Sequence, residues 1–572
     1  MRGFLPLLVI VTSASAIWPI PAKYEHGETV LWIARDVKIN YCKSNSTSLS
    51  GWNKTLASSG PLVQDAIQRA HHTIFSERFV PWKFHPRNSD FEPPANGSKN
   101  YVGSIDVIQR SADSGSVVRP RIGEVSEAYS LTVAEDGKAT IAADTSVGVL
   151  RALETFTQLW YQHSESSSGV YTNLVPVNIE DAPKFPYRGL NLDVARNYYE
   201  PEDVMRTIDA LAYNKFNHLH IHATDSQSWP LDIPALPELS AKGAYHKGLS
   251  WTPDVYRDIQ AYGAARAVEV VTEIDLPGHT ASIGNAFPDL LTPIDDLPTW
   301  DDFSKQALKL NSSAVYDFLE TLFDDLLPRL SPYSAYFHTG GDELFPEVYL
   351  KEEGVNSNDS AVIQGLLQKF VDRNHDQVRA LGLTPIVWEE TLVQFNLTLG
   401  EDVIVQVWKS SETVLETINR GHKALVGSTD FWYLDCGKGQ WLNSDNGAAF
   451  EKSYPFNDYC TPIKSWRLVY AYDPVANIPP EKQSLVLGGE VHSWSEQTDP
   501  VNVDSTIWPR ASAAGEVLWS GRQDASGRNR SQIEAYPRLT EWRERMVLRG
   551  ISAASISHPY CTQSDSSACE LL

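Results

Sequence analysis

Two adjacent carboxylates, Asp342 and Glu343, are the residues whose type and position most directly suggest chemistry. They follow the apolar run Ala335–Phe337 and the paired glycines Gly340 and Gly341. Such a run is typical of a buried strand, and glycines at its end let the backbone turn or approach a ligand closely. Neighbouring carboxylates repel each other, so one of them tends to keep its proton above its usual pKa. One ionised and one protonated carboxylate is the acid/base division that cleavage of a glycosidic bond requires.

A solvated acidic turn is the alternative for a bare Asp-Glu pair, so other parts of the chain must decide. Further acidic, basic and aromatic residues lie in, or follow, other runs that are typical of strands. Carboxylates hydrogen-bond sugar hydroxyls, an arginine donates in a fork to vicinal oxygens, and a tryptophan face packs on the C–H surface of a sugar ring. This set comprises Arg188, Asp225, Asp275, His279, Trp388, Trp408, Tyr433, Asp435, Trp494 and Glu496. The alternatives are that Trp388 and Trp408 are ordinary core aromatics and that Arg188 caps an interface between domains.

Strand-like runs alternate with amphipathic helical patterns over much of the chain, and this predicts a (β/α)₈ barrel over residues 184–545. In such a barrel, residues at the C-terminal ends of the strands face one common mouth. The predicted helices include Pro201–Lys215, Thr252–Ala267, Ala314–Leu330 and Ile507–Ser520. The predicted strands are Tyr187–Val194, His218–Asp225, Glu269–Asp275, Tyr336–Asp342, Pro385–Glu389, Val403–Trp408, Ala424–Ser428 and Leu485–Val491.

The region ahead of the barrel, residues 17–183, predicts a smaller α+β domain. Val117–Ile122 and Ser130–Ala143 have strand patterns, the second with an Asp-Gly turn, and Thr145–Gln162 has a helical pattern. Residues 17–99 include a stretch rich in Ser, Asn and Pro that predicts a propeptide or a loose extension. Residues 546–572 are expected to form a C-terminal tail.

The first 16 residues have the pattern of a secretory signal peptide: a basic residue, an apolar run and the small residues Ala14-Ser15-Ala16. The apolar run is too short to span a bilayer. Glycosylation acceptors support export, namely Asn45, Asn53, Asn96, Asn311, Asn358, Asn396 and Asn529. The formal net charge of −24 disfavours nucleic-acid or anionic-membrane partners. We therefore expect a secreted, glycosylated protein.

Five cysteines in an exported protein predict two disulfides and one remaining thiol. Cys561 and Cys569 are close enough in sequence to staple the C-terminal tail. Cys436 and Cys460 would close a loop rich in Gly and Asn, and Cys42 would be unpaired or bonded to another molecule. No Cys/His spacing resembles a metal site, and no cofactor is expected.

Several motifs occur together, and in this order they resemble the secreted fungal β-N-acetylhexosaminidases of glycoside hydrolase family 20. The resemblance covers roughly residues 17 to 520. One motif alone would be weak, but their order and spacing make chance agreement a poor explanation. The motifs are Arg188–Asp193, His222–Asp225, Glu273–His279, His338–Glu343 and Gly488–Trp494.

The resemblance implies a retaining mechanism in which the 2-acetamido group of the substrate is the nucleophile, an exception to the two-carboxylate scheme. Glu343 would protonate the leaving oxygen, and Asp342 would orient the acetamide. Tyr433 would hydrogen-bond the acetamide oxygen. The other implied roles are an acetyl pocket walled by Trp388, Trp408 and Trp494, hydroxyl binding by Arg188, Asp435 and Glu496, and a relay from Asp225 through His279 to Glu343.

The expected activity is removal of terminal GlcNAc or GalNAc from chito-oligosaccharides and glycans. A disaccharide-releasing relative is the alternative within enzymes, and a carbohydrate-binding protein that has lost turnover is the alternative outside them. The sequence leaves the GlcNAc:GalNAc preference and the physiological substrate open. By resemblance, a homodimer with a retained propeptide is also expected.

Overall fold

The computed structural model describes residues 17–43, 59–113, 117–293, 306–442, 454–564 and 569. Within these ranges the chain forms an N-terminal α+β domain followed by a closed barrel of eight parallel strands with flanking helices. This architecture confirms the predicted fold class. The predicted signal peptide lies outside the described residues.

The N-terminal domain is built on one seven-stranded sheet. Its strands are β1 (Lys23–Ile33), β2 (Lys38–Lys43), β3 (Ser104–Gln109), β4 (Tyr129–Val133), β5 (Lys138–Ala143), β6 (Tyr161–Gln162) and β7 (Val170–Asp181). The main path runs β1-β7-β4-β5-β3-β2, and β6 pairs with β7. The helices Ser59–Ser76 and Ser146–Thr157 contribute apolar side chains to a core shared with this sheet.

Predictions for this domain are confirmed in part. The Asp-Gly turn joins β4 to β5 as an antiparallel hairpin, and the predicted helix begins at Ser146, where the Thr145 hydroxyl accepts from Gly148 N at 3.0 Å. The predicted strand at Val117–Ile122 is wrong. Pro120 in this segment has no N–H to donate to a strand ladder. The segment instead docks on the barrel, where Ile122 N donates to the Tyr336 hydroxyl at 2.7 Å.

The described parts of residues 17–99 are built into the molecule. In the stretch Asn45–Lys99, which is predicted to be a propeptide or a loose extension, the helix Ser59–Ser76 contributes Val63 and Ala66 to the core of the domain. Strand β1 pairs with β7 from Lys23 to Ile33, and the buried Trp18 indole donates to the Ser512 carbonyl of the barrel at 3.0 Å. Cleavage of a propeptide within this region stays a prediction.

The barrel closes from its eighth strand onto its first, and all eight predicted strands are confirmed. The strands are β8 (Tyr187–Asp193), β9 (His218–His222), β10 (Glu269–Glu273), β11 (Tyr336–His338), β12 (Thr384–Trp388), β13 (Ile404–Val407), β14 (Lys423–Val426) and β15 (Val486–Ser493). Neighbouring strands are parallel, and β15 pairs with β8 with Gly489 opposite Arg188.

The barrel interior changes character along its axis. Near the N-terminal ends of the strands it is apolar, with a buried cluster that includes Tyr187, Val271 and Ile386. Two residues further along β10, Val271 gives way to the buried carboxylate of Glu273. A much larger apolar core lies between the strands and the surrounding helices. The polar layer therefore lies directly beneath the mouth.

The helices around the barrel follow their sequence patterns closely. Pro201–Tyr213 begins with proline at its first turn and buries Val204, Ile208 and Leu211, the i, i+4, i+7 face expected of an amphipathic helix. The predicted helix Ile507–Ser520 is divided in two, because Pro509 lies between its parts. The helices are Pro201–Tyr213, Glu238–Gly243, Pro253–Ala264, Ala281–Gly284, Ser313–Leu330, Ser360–Ala380, Glu389–Val393, Ser411–Asn419, Trp466–Ala471, Val503–Ile507, Arg510–Ser520, Gln532–Leu548 and Pro559–Gln563. Among the described helices, none is both long and apolar enough to cross a membrane.

Candidate active site

The turn after β11 presents the acidic pair to the mouth of the barrel. Gly340 and Gly341 have φ angles of 68° and 106°, in the region that favours glycine, and Glu343 itself has a φ of 45°. Gly341 N donates to Asp275 Oδ1 at 2.8 Å. A Cβ atom on Gly340 would lie 1.8 Å from that same oxygen. Both glycines are therefore required for the loop to reach Asp275 and to place Asp342 at the mouth.

Asp342 is the buried member of the pair. Its carboxyl group lies against Asp275, and no hydrogen-bond partner satisfies Asp342 Oδ1 or Asp275 Oδ2 in the described part of the chain. Burial, and then repulsion from Asp275, raise the pKa of Asp342 well above its usual value. Burial likewise raises the pKa of Asp275 to about 7. The two carboxyl groups are therefore best described as sharing a proton.

Glu343 is the open member of the pair, with 49% of its side chain exposed. Its Oε2 lies 3.5 Å from His279 Nε2, and His279 Nδ1 lies 3.1 Å from Asp225 Oδ2. Burial disfavours the charged imidazole, but Asp225, Asp342 and Asp275 outweigh it and raise the pKa of His279 well above its usual value. The hydrogen bond from His279 in turn lowers the pKa of Glu343. A proton available to Glu343 thus resides on the neighbouring imidazole.

Four aromatic side chains lie beside the acidic pair. The ring centroids of Trp388 and Trp494 are 6.1 Å apart, as are those of Trp408 and Tyr433. The buried Tyr433 is close enough to Asp342 for the two to interact electrostatically. Trp388 and Trp408 are therefore members of one cluster at the ends of β12 and β13, and not isolated core aromatics.

Asp435 and Glu496 lie together on the β14 and β15 side of the mouth. Asp435 Oδ1 accepts from Trp494 N at 3.3 Å. Burial, and then the charge of Glu496, raise the pKa of Asp435 to about 7. Two acids that repel each other in this way are suited to accept hydrogen bonds from neutral hydroxyls.

The chain is similar to known carbohydrate-cleaving enzymes along nearly its whole length. A family profile described as "Glycosyl hydrolase family 20, catalytic domain" matches residues 185–522, and one described as "beta-acetyl hexosaminidase like" matches residues 17–159. A beta-hexosaminidase of Arthroderma benhamiae is 42% identical, and the match covers 99% of each chain. The chain belongs to glycoside hydrolase family 20. It is a glycoside hydrolase with β-N-acetylhexosaminidase activity, which confirms the enzyme class expected from the motifs.

More distant members of family 20 support the same assignment. The beta-hexosaminidase subunit beta of Homo sapiens is 32% identical over 96% of this chain and 89% of its own. A family 20 exo beta-N-acetylglucosaminidase of Vibrio harveyi, solved in complex with N-acetylglucosamine, matches with a TM-score of 0.71 and 21% identity. That match covers 96% of this chain and 79% of the Vibrio chain, and it supports the fold.

Arg188 does not lie at the mouth of this family 20 barrel, so its expected place beside the substrate is wrong. It is the second residue of β8, at the opposite end of the strand, and it is fully buried. Its Nη2 lies 2.6 Å from Glu127 Oε2 of the N-terminal domain, and its Nε donates to the Lys215 carbonyl at 2.8 Å. The alternative position, at the interface between the domains, is the one that the structure shows.

Arg196 is the arginine that reaches the mouth, and the sequence reasoning missed it. Its Nη2 lies 2.7 Å from Asp225 Oδ2 and its Nη1 lies 3.2 Å from Asp193 Oδ2. The guanidinium also lies 5.3 Å from the ring centroid of Trp494. The signal that could have found it is position, because Arg196 follows the end of β8 by three residues whereas Arg188 lies near its start.

Two carboxylates that hold the indole groups were also missed. Trp388 Nε1 donates to Glu273 Oε1 at 2.7 Å, and Trp408 Nε1 donates to Glu390 Oε2 at 3.1 Å. Glu390 is the second residue after β12, so its position could have placed it at the mouth. Glu273 belongs to the motif Glu273–His279, but nothing in the sequence identifies Trp388 as its hydrogen-bond partner.

Buried groups of potential metal ligands also occur within the described residues. Asp275, His279 and Asp342 bring one ligand atom each to within 4.8 Å of one another. The protonated imidazole and the proton shared by the carboxyl groups already balance the charge of this group. The absence of a metal stays a prediction.

Both predicted disulfides are present, Cys436–Cys460 and Cys561–Cys569, and Cys42 is an exposed free thiol. The first fixes the residue that directly follows Asp435. Of the predicted glycosylation acceptors, Asn45 and Asn53 lie outside the described residues. The remaining five are exposed, namely Asn96, Asn311, Asn358, Asn396 and Asn529.

Proposed function

We propose that the enzyme is a secreted exo-β-N-acetylhexosaminidase that removes terminal GlcNAc or GalNAc from chito-oligosaccharides and glycans with retention of configuration. The nucleophile in this proposal is the 2-acetamido oxygen of the substrate. The observation that carries the proposal is the division of the acidic pair. Asp342 is buried beside the aromatic cluster, whereas Glu343 is half-exposed and 3.5 Å from a charged histidine.

Asp342 and Tyr433 are suited to align the acetamide group. In this proposal Asp275 keeps the proton that the two carboxyl groups share, and the acetamide N–H donates to the ionised Asp342 carboxylate. The negative charge of Asp342 then stabilises the positive charge that develops on the acetamide. The Tyr433 hydroxyl donates to the acetamide oxygen and holds it beneath the anomeric carbon. The three indoles pack around the acetyl methyl group. Holding an internal nucleophile close to its target lowers the barrier by about 7–11 kcal/mol in the most favourable cases.

Glu343 acts first as the acid and then as the base. The proton passes from the His279 imidazolium to Glu343 as the leaving oxygen approaches, and then to that oxygen as its bond to the anomeric carbon breaks. The acetamide oxygen bonds to the same carbon and gives an oxazolinium ion. Water then attacks the anomeric carbon, its proton passes to Glu343, and the acetamide is released. Asp225 supports the imidazolium throughout.

The hydroxyl groups of the terminal sugar are bound by Arg196, Asp435 and Glu496. Arg196 takes the role first expected of Arg188, because its guanidinium is the one at the mouth. The Cys436–Cys460 disulfide restrains the loop that presents Asp435. Release of single sugars, as opposed to disaccharides, is part of this proposal and stays a prediction. A binding protein without turnover is disfavoured because both acids and the acetamide partners are present.

Secretion is supported by the signal-like N-terminus and by the exposure of five described glycosylation acceptors. Its test is a shift in electrophoretic mobility when protein from the culture medium is treated with an endoglycosidase. A homodimer stays a prediction.

The test of the mechanism is to compare an aryl β-GlcNAc substrate with the aryl β-glucoside, which lacks the acetamide. We expect hydrolysis of the aryl β-GlcNAc substrate. The rate for the aryl β-glucoside should be lower by about 10⁵-fold or more, because the internal nucleophile is absent. Equal rates would show that the acetamide takes no part.

A further inference from the structure

Glu273, the last residue of β10, contacts both halves of the catalytic machinery from below. It is fully buried in the polar layer of the barrel interior. Its Oε1 accepts the indole hydrogen of Trp388 at 2.7 Å, and its Oε2 lies 2.5 Å from His222 Nδ1. One carboxylate thus holds a wall of the acetyl pocket with one oxygen and a histidine with the other.

The histidine on the second oxygen continues directly to the catalytic acid. His222 Nε2 lies 2.9 Å from Asp225 Oδ2, and the same oxygen lies 3.1 Å from His279 Nδ1. His279 Nε2 then lies 3.5 Å from Glu343 Oε2. An unbroken series of alternating carboxylates and imidazoles therefore joins Glu273 to Glu343.

The other charged groups that face Glu273 also come from neighbouring strands. His220 Nε2 lies 3.1 Å from Oε2, and His338 Nδ1 lies 3.1 Å from Oε1. On the far side of His220, Glu490 Oε2 lies 3.1 Å from its Nδ1, and the His492 ring lies nearby. Burial opposes ionisation of Glu273, but His222, His338 and His220 outweigh it and hold its pKa well below the usual value. Glu273 is therefore an anion beneath the mouth.

We propose that Glu273 is a positioning residue that couples acetamide recognition to proton delivery. Through Trp388 it fixes the pocket wall, and through His222 it sets how firmly Asp225 holds the proton of His279. The proposal rests on the roles given above to Glu343 and the aromatic cluster, and it adds a group that touches neither substrate nor leaving oxygen.

The effect on proton delivery has a definite direction. Among the groups that raise the pKa of His222, to about 10, Glu273 contributes most, against the effect of burial. Without the Glu273 charge, the buried His222 loses its proton. Asp225 then has one cation fewer and attracts the His279 proton more strongly, although Arg196 still pairs with it. That proton is released at higher pH and passes less readily to Glu343.

The experiment uses Glu273→Gln, which keeps an oxygen for Trp388 but removes the charge beside His222. For a substrate with a poor leaving group, kcat/KM should fall by about 10- to 100-fold, part of the contribution of general acid catalysis. For an activated aryl leaving group the fall should be at most about threefold. The alkaline limb of the kcat/KM profile should move to higher pH, and the Ki of a GlcNAc-thiazoline inhibitor should stay within about threefold.

Glu273→Ala removes the contact with Trp388 as well as the charge beside His222. Comparison with Glu273→Gln therefore separates the effects of the two contacts. It should show the same dependence on the leaving group and, in addition, weaken thiazoline binding by about tenfold, because the buried indole N–H loses its acceptor. The matched control is Glu269→Gln, a buried carboxylate at the start of the same strand that accepts from Ser334 and Ala335 N at the far end of the barrel. This control should change none of the three readouts.

Equal losses for good and poor leaving groups in Glu273→Gln, with an unmoved alkaline limb, would overturn the proposal and leave Glu273 a structural residue. Failure of the underlying function is distinguishable, because it would appear in the unsubstituted enzyme. If the parent enzyme cleaved the 2-acetamido substrate no better than the glucoside, the mechanism itself would be wrong. The parent enzyme can instead prefer the 2-acetamido substrate while Glu273→Gln shows no difference between good and poor leaving groups. In that case only the inference about Glu273 is wrong.

Discussion

The two ends of the barrel use the same residue types to different effect. At the N-terminal end, Glu127 pairs with both Arg188 and Arg151, at 2.6 and 2.8 Å, and is enclosed between the domains. At the mouth, Asp342 Oδ1 has no hydrogen-bond partner among the described residues. Paired ions at one end stabilise a fixed interface. The unsatisfied oxygen at the mouth is available to a substrate.

The largest expected effect comes from the exposed acid at the mouth. Glu343→Gln keeps the size of the side chain but cannot donate the catalytic proton, so kcat/KM for substrates with poor leaving groups should fall by about 10²–10⁴-fold. An activated aryl substrate should lose much less. The measurement is steady-state kinetics with a series of leaving groups, and a uniform loss across that series would assign Glu343 a different role.

The second-largest effect should come from substitution of the buried acid, Asp342. Asp342→Asn removes the charge that stabilises the acetamide in the transition state, and kcat should fall by about 10²–10³-fold. The isosteric change leaves the fold in place, and circular dichroism serves as the control. A variant that retained full kcat would contradict the assignment of Asp342 to the acetamide.

The same substitution at Arg188 and at Arg196 tests the contrast between a structural charge at the domain interface and a functional charge at the mouth. Arg188→Met should lower the free energy of unfolding by about 3–5 kcal/mol, because it removes one of the two cations that balance the buried Glu127, while kcat/KM of the folded protein is retained. Arg196→Met should lower kcat/KM by about 10- to 100-fold, the cost of about 1.4–2.8 kcal/mol of lost binding to the terminal sugar. Kinetics and urea unfolding on both variants check this, and an inactive but stable Arg188→Met would reverse the assignment.

The pH dependence of the free energy of unfolding should show the contribution of the Glu127 ion pairs at the N-terminal end of the barrel. Burial opposes ionisation of Glu127, but Arg188 and Arg151 outweigh it and lower its pKa from 4.5 to about 2. Its ion pairs therefore stabilise the fold fully above pH 4.5, and that contribution, about 3 kcal/mol, is lost as the pH falls towards 2. Urea unfolding should show Glu127→Gln less stable than the parent at pH 6 and nearly equal near pH 2. An equal difference at both pH values would contradict this.

Much of the fold could be predicted because the barrel strands are apolar runs bounded by turn residues, and the run ahead of Asp342 is one of them. Much of the site could also be predicted, because residues at the C-terminal ends of the barrel strands face the same mouth. The prediction failed for Arg188 although the predicted strand Tyr187–Val194 already placed it near the start of the strand, at the end away from the mouth. It also failed at Val117–Ile122, where a segment with three β-branched residues docks on the barrel and does not join the sheet. The partners of Glu273 come from β9, β11 and β12, and no spacing in the chain predicts them.

The most direct test of the account is a crystal structure of the enzyme with a GlcNAc-thiazoline bound, because that ring has the geometry of the internal nucleophile after attack. We expect the thiazoline nitrogen on the Asp342 carboxylate, the sulfur near the Tyr433 hydroxyl, and the methyl group enclosed by Trp388, Trp408 and Trp494. A thiazoline ring bound away from Asp342, with its methyl group in solvent, would contradict the division of labour between the two acids.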